Sequence, residues 1–144
     1  MTGYDIQTLA DRAEITDLFV NLGRCLDEHD FDGLKEVLTE DVVGTTPGGT
    51  EEGRDALIAQ ARRNHEGYER LAHQFNSILV KVEGDTGSVR AYVTGAFGHT
   101  DSTEPVRVLI GQYRNKVVRT AEGWRISELT VRPVFRVGEP ARAL

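Results

Sequence analysis

Asp27, His73 and His99 are the residues of this chain whose types and placement could do acid/base chemistry. Asp27 falls near the end of the first long helical pattern, and both histidines fall where strands should start or end. A carboxylate and two imidazoles from three separate elements meet only if the fold brings them together. In a shared hollow, a neutral histidine can remove a proton next to a carbonyl. The second can donate a proton to a leaving hydroxyl or a developing enolate, and Asp27 can stabilise whichever imidazole carries charge. The same trio has the composition of a facial metal site, but its spacing is not diagnostic and no HExxH cluster accompanies it. No metal is therefore expected, and the proton chemistry needs no cofactor. The remaining candidates carry less. Cys25 lies near a helix C-terminus, where a thiolate is disfavoured. His29 and His65 sit in polar helical surroundings and are expected to face solvent. The stretch PGGTEEG lacks the lysine and hydroxyl residue of a phosphate loop and reads as a turn before a helix.

The elements that must position the trio follow from periodicity. Residues 8–29 read as a helix, with Ile15, Leu18, Phe19, Leu22 and Leu26 on one apolar stripe and Thr8 with Asp11 as a loose N-terminal signal. A short helix is expected at about 31–39 with Asp30 as its cap. A short strand then starts at Asp41-Val42-Val43 and is broken by Pro47-Gly48-Gly49. Residues 53–66 read as a third helix with Ala56, Leu57 and Ala61 buried. Four long strands follow, Leu71–Val82, Ser88–His99, Val106–Arg119 and Trp124–Val137, separated by turns rich in Gly, Asp and Glu. Helices first and an antiparallel meander after them is an α+β arrangement. Strands of that length curl, and a curled sheet over helices leaves a cone-shaped hollow suited to a small molecule.

Alternation places His99 on the side of Val89, Ala91, Val93 and Phe97, which is taken as the interior, although Gly95 and Gly98 can admit a bulge. The expected lining is Leu22, Leu79, Val89, Val93 and Phe97. Leu22, Leu26, Tyr92, Phe97 and Tyr113 are the expected substrate contacts, with Tyr92 at the opposite parity to His99. Asn76, Arg107 and Gln112 are further polar candidates, and Trp124 is expected in the core.

The chain has 144 residues, enough for one domain with a sizeable core, spanning 1–144 with an ordered part at about 6–137 and a loose tail after Gly138. Its formal net charge of −6, with scattered basic residues, argues against a nucleic-acid or anionic-membrane partner. No run approaches the roughly 18 apolar residues of a membrane span. The single cysteine precludes an internal disulfide. A cytoplasmic protein is expected.

Several stretches together resemble the SnoaL-like branch of the nuclear-transport-factor-2-like superfamily. They are DRAEITDLFVNLGRCLDEHDFDGLKEVLTEDV (11–42), EEGRDALI (51–58), VEGDTGSVRAYV (82–93) and GQYRNKVVRTAEGWRISEL (111–129). The resemblance implies a cystatin-like α+β barrel, a curved sheet around N-terminal helices, and a homodimer formed through the open sheet face. Within that branch the chain is most similar to scytalone dehydratase-type members, whose site uses an aspartate on the first helix and two histidines on adjacent strands. Asp27, His73 and His99 match those positions. Leu26 stands where those members have a tyrosine, and Thr45 or Thr46 falls where a second one is expected. The implied activity is a cofactor-independent dehydratase, isomerase or cyclase for a small hydrophobic carbonyl compound such as a polyketide, aromatic or steroid-like molecule. The alternative is a module of the same fold that binds a ligand or a second copy without turnover.

Overall fold

The computed structural model describes residues 3–139. The expected tail therefore lies, from residue 140 on, outside the described residues. The first helix, α1, spans Ile6–Asp27. Asp5, and not Thr8, is its cap: the Asp5 carboxylate accepts from the Thr8 backbone N–H at 2.7 Å and satisfies one of the amides left over at a helix start. The stripe from Ile15 to Leu26 is buried as its spacing requires. The helix ends where His29 takes a positive φ of 56° and the Asp30 N–H returns to the Cys25 carbonyl. The second expected helix is a 3₁₀ segment, Asp32–Glu36, with Phe31 and not Asp30 at its N-cap; the Asp30 carboxylate accepts from the Gly33 N–H from one residue further out.

Strand β1 (Leu38–Thr46) turns at Pro47-Gly48 into a short β2 (Gly49–Glu52). The expected break is thus a hairpin turn. Helix α2 runs Arg54–His65. Then come β3 (Arg70–Glu83), β4 (Thr86–Gly98), β5 (Arg107–Thr120) and β6 (Gly123–Gly138), within one or two residues of the alternation-based reading. The sheet order is β2-β1-β6-β5-β4-β3, antiparallel except for the parallel β1–β6 pair. The architecture is α+β, as expected, with an open sheet whose edges are β2 and β3.

Helix α1 packs on both β3 and β6, although β4 and β5 lie between those strands in the sheet. The sheet therefore curls around the helix, which buries Ile15, Phe19, Val42, Val117, Trp124 and Ile126 in one core. Each such aliphatic or aromatic side chain is worth roughly 1.5–3 kcal/mol of burial. One local slip changes the expected lining. The β3–β4 register shifts between Asn76 and Leu79, where Ser77 takes a φ of 51°. The bulge reverses the alternation, so Leu79 faces out, 52% exposed, and is no part of the hollow. Val89 is buried in the core, away from the cavity wall. Among the described residues no helix is long and apolar enough to cross a membrane.

Candidate active site

Two glycines decide how closely the catalytic candidates approach. Gly23, one helical turn before Asp27, lies against β3: a Cβ there would stand 3.3 Å from the His73 carbonyl oxygen. The absent side chain lets the end of α1 settle on the strand and brings the Asp27 carboxylate to His73. Asp27 Oδ1 lies 2.7 Å from His73 Nδ1, and both carboxylate oxygens accept from the His73 backbone N–H at 3.0 and 3.1 Å. An ionised carboxylate can only accept, so the shared proton is assigned to Nδ1. That leaves Nε2 as the basic nitrogen. Gly95, the cross-strand neighbour of His73, has no side chain to crowd the ring; a Cβ there would come within 3.4 Å of Cδ2 and Nε2.

His73 forms part of the wall of a cavity of about 420 Å³, within the size range of small-molecule sites. Leu22, Leu26, Leu57, Val93, Leu109, Leu129 and Val131 give it an apolar interior, and the exposed Pro47, Gly48 and Arg136 mark its mouth. Asp27 is not in this wall; it sits behind His73 and orients it. Of the expected contacts, Leu22, Leu26, Phe97 and Tyr113 line the cavity. Of the positions where the resemblance implies tyrosines, Leu26 and Thr45 or Thr46, the cavity is lined by Leu26 and Thr46 and not by Thr45, and the Thr46 hydroxyl is spent on Gln60 Oε1 at 2.9 Å. Burial raises the Tyr113 phenol above its ordinary pKa, so it stays protonated.

Other expected positions lie elsewhere. His99 is not in the cavity wall. It follows the last paired residue of β4, Gly98, so the strand's alternation does not extend to it. Its Nδ1 contacts Glu69 Oε2, its ring stacks on Tyr68, and a third of its side chain is exposed. Tyr92 lies on the outer face of the sheet under the Arg90 guanidinium, as its opposite parity requires. Asn76 is exposed, and Gln112 lies on the outer face of the sheet, away from the cavity, buried beside Arg132.

The imidazole that does accompany His73 is His65. Its ring centroid lies 5.2 Å from that of His73 and 5.7 Å from Phe97. The expectation of a solvated His65 is therefore corrected. Leu57, Ala61 and His65 recur at four-residue intervals on one face of α2, and that face looks into the cavity. His65 Nδ1 lies 2.7 Å from the Ala61 carbonyl, which can only accept, so this nitrogen carries the proton. Burial and the neighbouring His73 lower its pKa to about 3. His65 is neutral at physiological pH and presents only a lone pair.

Arg107, one of the polar candidates, completes the wall. Inward parity with Leu109, Gly111 and Tyr113 places it there. It is 7% exposed and its guanidinium lies over the Phe97 ring, 4.6 Å from the centroid. Among the described residues there is no group of three or more side chains suited to hold a metal.

A family model for the SnoaL-like domain matches residues 7–130. An uncharacterised protein of Mycobacterium tuberculosis is 30% identical over 123 residues, 84% of each chain. A candidate scytalone dehydratase from Novosphingobium aromaticivorans superposes with a TM-score of 0.83 at 22% identity, covering 94% of this chain and 92% of that one. A type 3 hexachlorocyclohexane dehydrochlorinase from Novosphingobium barchaimii gives 0.81 at 18% identity, with 98% of each chain covered. At these identities the two structures share the fold.

Proposed function

We propose, from the premise that this chain belongs to the SnoaL-like domain family, that it is a proton-transfer enzyme: a lyase or isomerase, working without a cofactor on a small hydrophobic carbonyl compound. One observation carries the reading. An Asp27–His73 pair is held at 2.7 Å with the free ring nitrogen of His73 at the wall of an apolar cavity. The names of the two solved structures denote loss of water and loss of hydrogen chloride, both eliminations, which is the class this geometry suits.

The step is as follows. His73 Nε2 takes a proton from the carbon next to the substrate carbonyl. The C–H electron pair moves into the enolate, and Asp27 stabilises the resulting imidazolium. His73 then returns the proton. Delivered to a hydroxyl on the next carbon, it lets the C–O bond break, a C=C bond form and water leave. Where a C=C bond is conjugated to the enolate, delivery to the far carbon of the resulting dienolate shifts that double bond and completes an isomerisation. One base does both jobs in this scheme, because neutral His65 has committed its N–H to Ala61 and His99 lies elsewhere.

Deuterium uptake from D₂O at the carbon next to the carbonyl of hydrophobic ketones such as tetralones and indanones, followed by mass spectrometry, tests the reading. Uptake is expected above the buffer rate. His73→Ala should slow it by about 10²–10⁴, and Asp27→Asn should act in the same direction. Wild-type uptake no faster than buffer across the set would leave a binding or assembly module instead, and full uptake by His73→Ala would remove His73 as the base.

A further inference from the structure

The charged groups of the cavity are all of one sign. Its wall holds Arg63, Arg107 and Arg136, beside the neutral His65 and the proposed base His73, and no aspartate or glutamate. This occurs in a chain with 23 acidic and 17 basic residues. Acids are not scarce; they are kept out of this space. Arg63 is neutralised by Glu51 at 3.6 Å. Arg107 is not: among the described residues it forms no ion pair, and its buried Nε has no hydrogen-bond partner. A buried cation without a counter-charge is costly, and proteins normally pair it. The Phe97 face beneath it offsets only part of that cost. The same Phe97 ring touches both His65 and His73, so a single aromatic ring separates the unpaired guanidinium from the proposed base.

We infer that Arg107 is an anion-binding residue and that the molecule taken by this cavity carries a carboxylate, which supplies the missing counter-charge and fixes the hydrophobic body against His73. The planar fork of a guanidinium matches a carboxylate bidentately. A phosphate would bring a second negative charge to a largely apolar wall where Arg107 is the one buried cation among the lining arginines. The inference deepens the proton-transfer reading and rests on it for the reaction, but the binding it predicts stands apart from turnover.

The test is calorimetric titration of the full chain with 2-naphthoate, its neutral isostere 2-naphthamide, and 2-naphthyl phosphate. Naphthoate is expected to bind at least about tenfold tighter than either of the others, a difference of ~1.4 kcal/mol. Arg107→Met should bring naphthoate down to the naphthamide level and leave naphthamide unaffected. Arg107→Lys should keep part of the preference, and in wild type the Arg107 Nε–H NMR signal should move on adding naphthoate; these two readouts serve if Arg107→Met does not fold. His73→Ala should keep the whole preference even if it abolishes deuterium uptake, so failure of the catalytic reading and failure of this one look different. The inference falls if wild type does not bind naphthoate, binds acid and amide equally or favours the phosphate. It also falls if the preference survives in Arg107→Met or is removed by Arg136→Gln with the Arg107 signal unmoved.

Discussion

His73 and His99 each contact a carboxylate, yet only His73 lines the cavity. His73 has its side chain 6% exposed and its second nitrogen at an apolar wall, whereas His99 shares Glu69 with solvent at the end of β4. His99→Ala is accordingly expected to leave deuterium uptake unchanged, measured beside His73→Ala under the same conditions. His65 makes its own prediction through pH. Its folded pKa, about 3, lies below the ordinary value of 6.5. The unfolded chain therefore binds a proton between these values that the folded protein refuses. The stability tied to neutral His65 is complete above about pH 6.5 and is lost as pH falls from there toward 3. Chemical denaturation at a series of pH values should show this slope, and His65→Gln should flatten it; an unchanged slope would mean that His65 titrates freely. Asp27 and His73 were legible in the sequence because residue type and family pattern agreed on them. His65 was hidden by its polar neighbours Arg62, Arg63 and Asn64, although its four-residue step from Leu57 and Ala61 was a usable signal. His99 misled because parity was carried one residue beyond the end of its strand.

At the level of elements, the β3–β4 pair matters more than the strands' length suggests. Gly95 looks in sequence like a weak point of β4, a place for a bulge. In the structure its role is clearance: a Cβ would lie 3.2 Å from Phe97 Cε2 and 3.4 Å from the His73 ring. Gly95→Ala should push the imidazole off its line to the cavity. The expected result is a fall in kcat of up to about 10², the scale on which an ångström of misplacement is felt. Its overpacking cost should be about 1–3 kcal/mol. Steady-state rates compared with denaturant midpoints check both, and a large stability loss with unchanged turnover would count against the clearance role. The strands themselves were readable because alternation over ten or more residues admits few alternatives. The bulge at Ser77 was not, since no local residue preference marks where β3 slips against β4, and it turned Leu79 outward. The β1–β2 hairpin was likewise missed, because Thr50-Glu51-Glu52 has no apolar alternation to announce a strand.

Across the whole molecule, α1 is fastened at two points that do different work. Near its start, the Asp11 carboxylate accepts both terminal guanidinium nitrogens of Arg119 at 2.9 Å and the Trp124 indole N–H at 3.1 Å. Glu14 accepts from the Trp124 backbone N–H, and Arg12 reaches the Val80 carbonyl. Near its end, Asp27 holds His73. At 1.5 Å per residue these fastenings are about 24 Å apart. The first is structural and the second positions the proposed base, so they should separate experimentally. Hydrogen bonds from Arg119 and Trp124 hold the Asp11 carboxyl down at about 2 against an ordinary 3.8. Its contribution is therefore present above about pH 3.8 and lost as pH falls toward 2. Asp11→Asn is expected to lower the melting temperature by several degrees at neutral pH and to leave the deuterium-uptake rate of the folded protein intact. Asp27→Asn is expected to do the reverse. At this separation the melting shifts of the double variant should add. Loss of turnover in folded Asp11→Asn, or shifts that fail to add, would mean that the helix transmits strain from one fastening to the other and that the cavity's geometry depends on the far end of the cone.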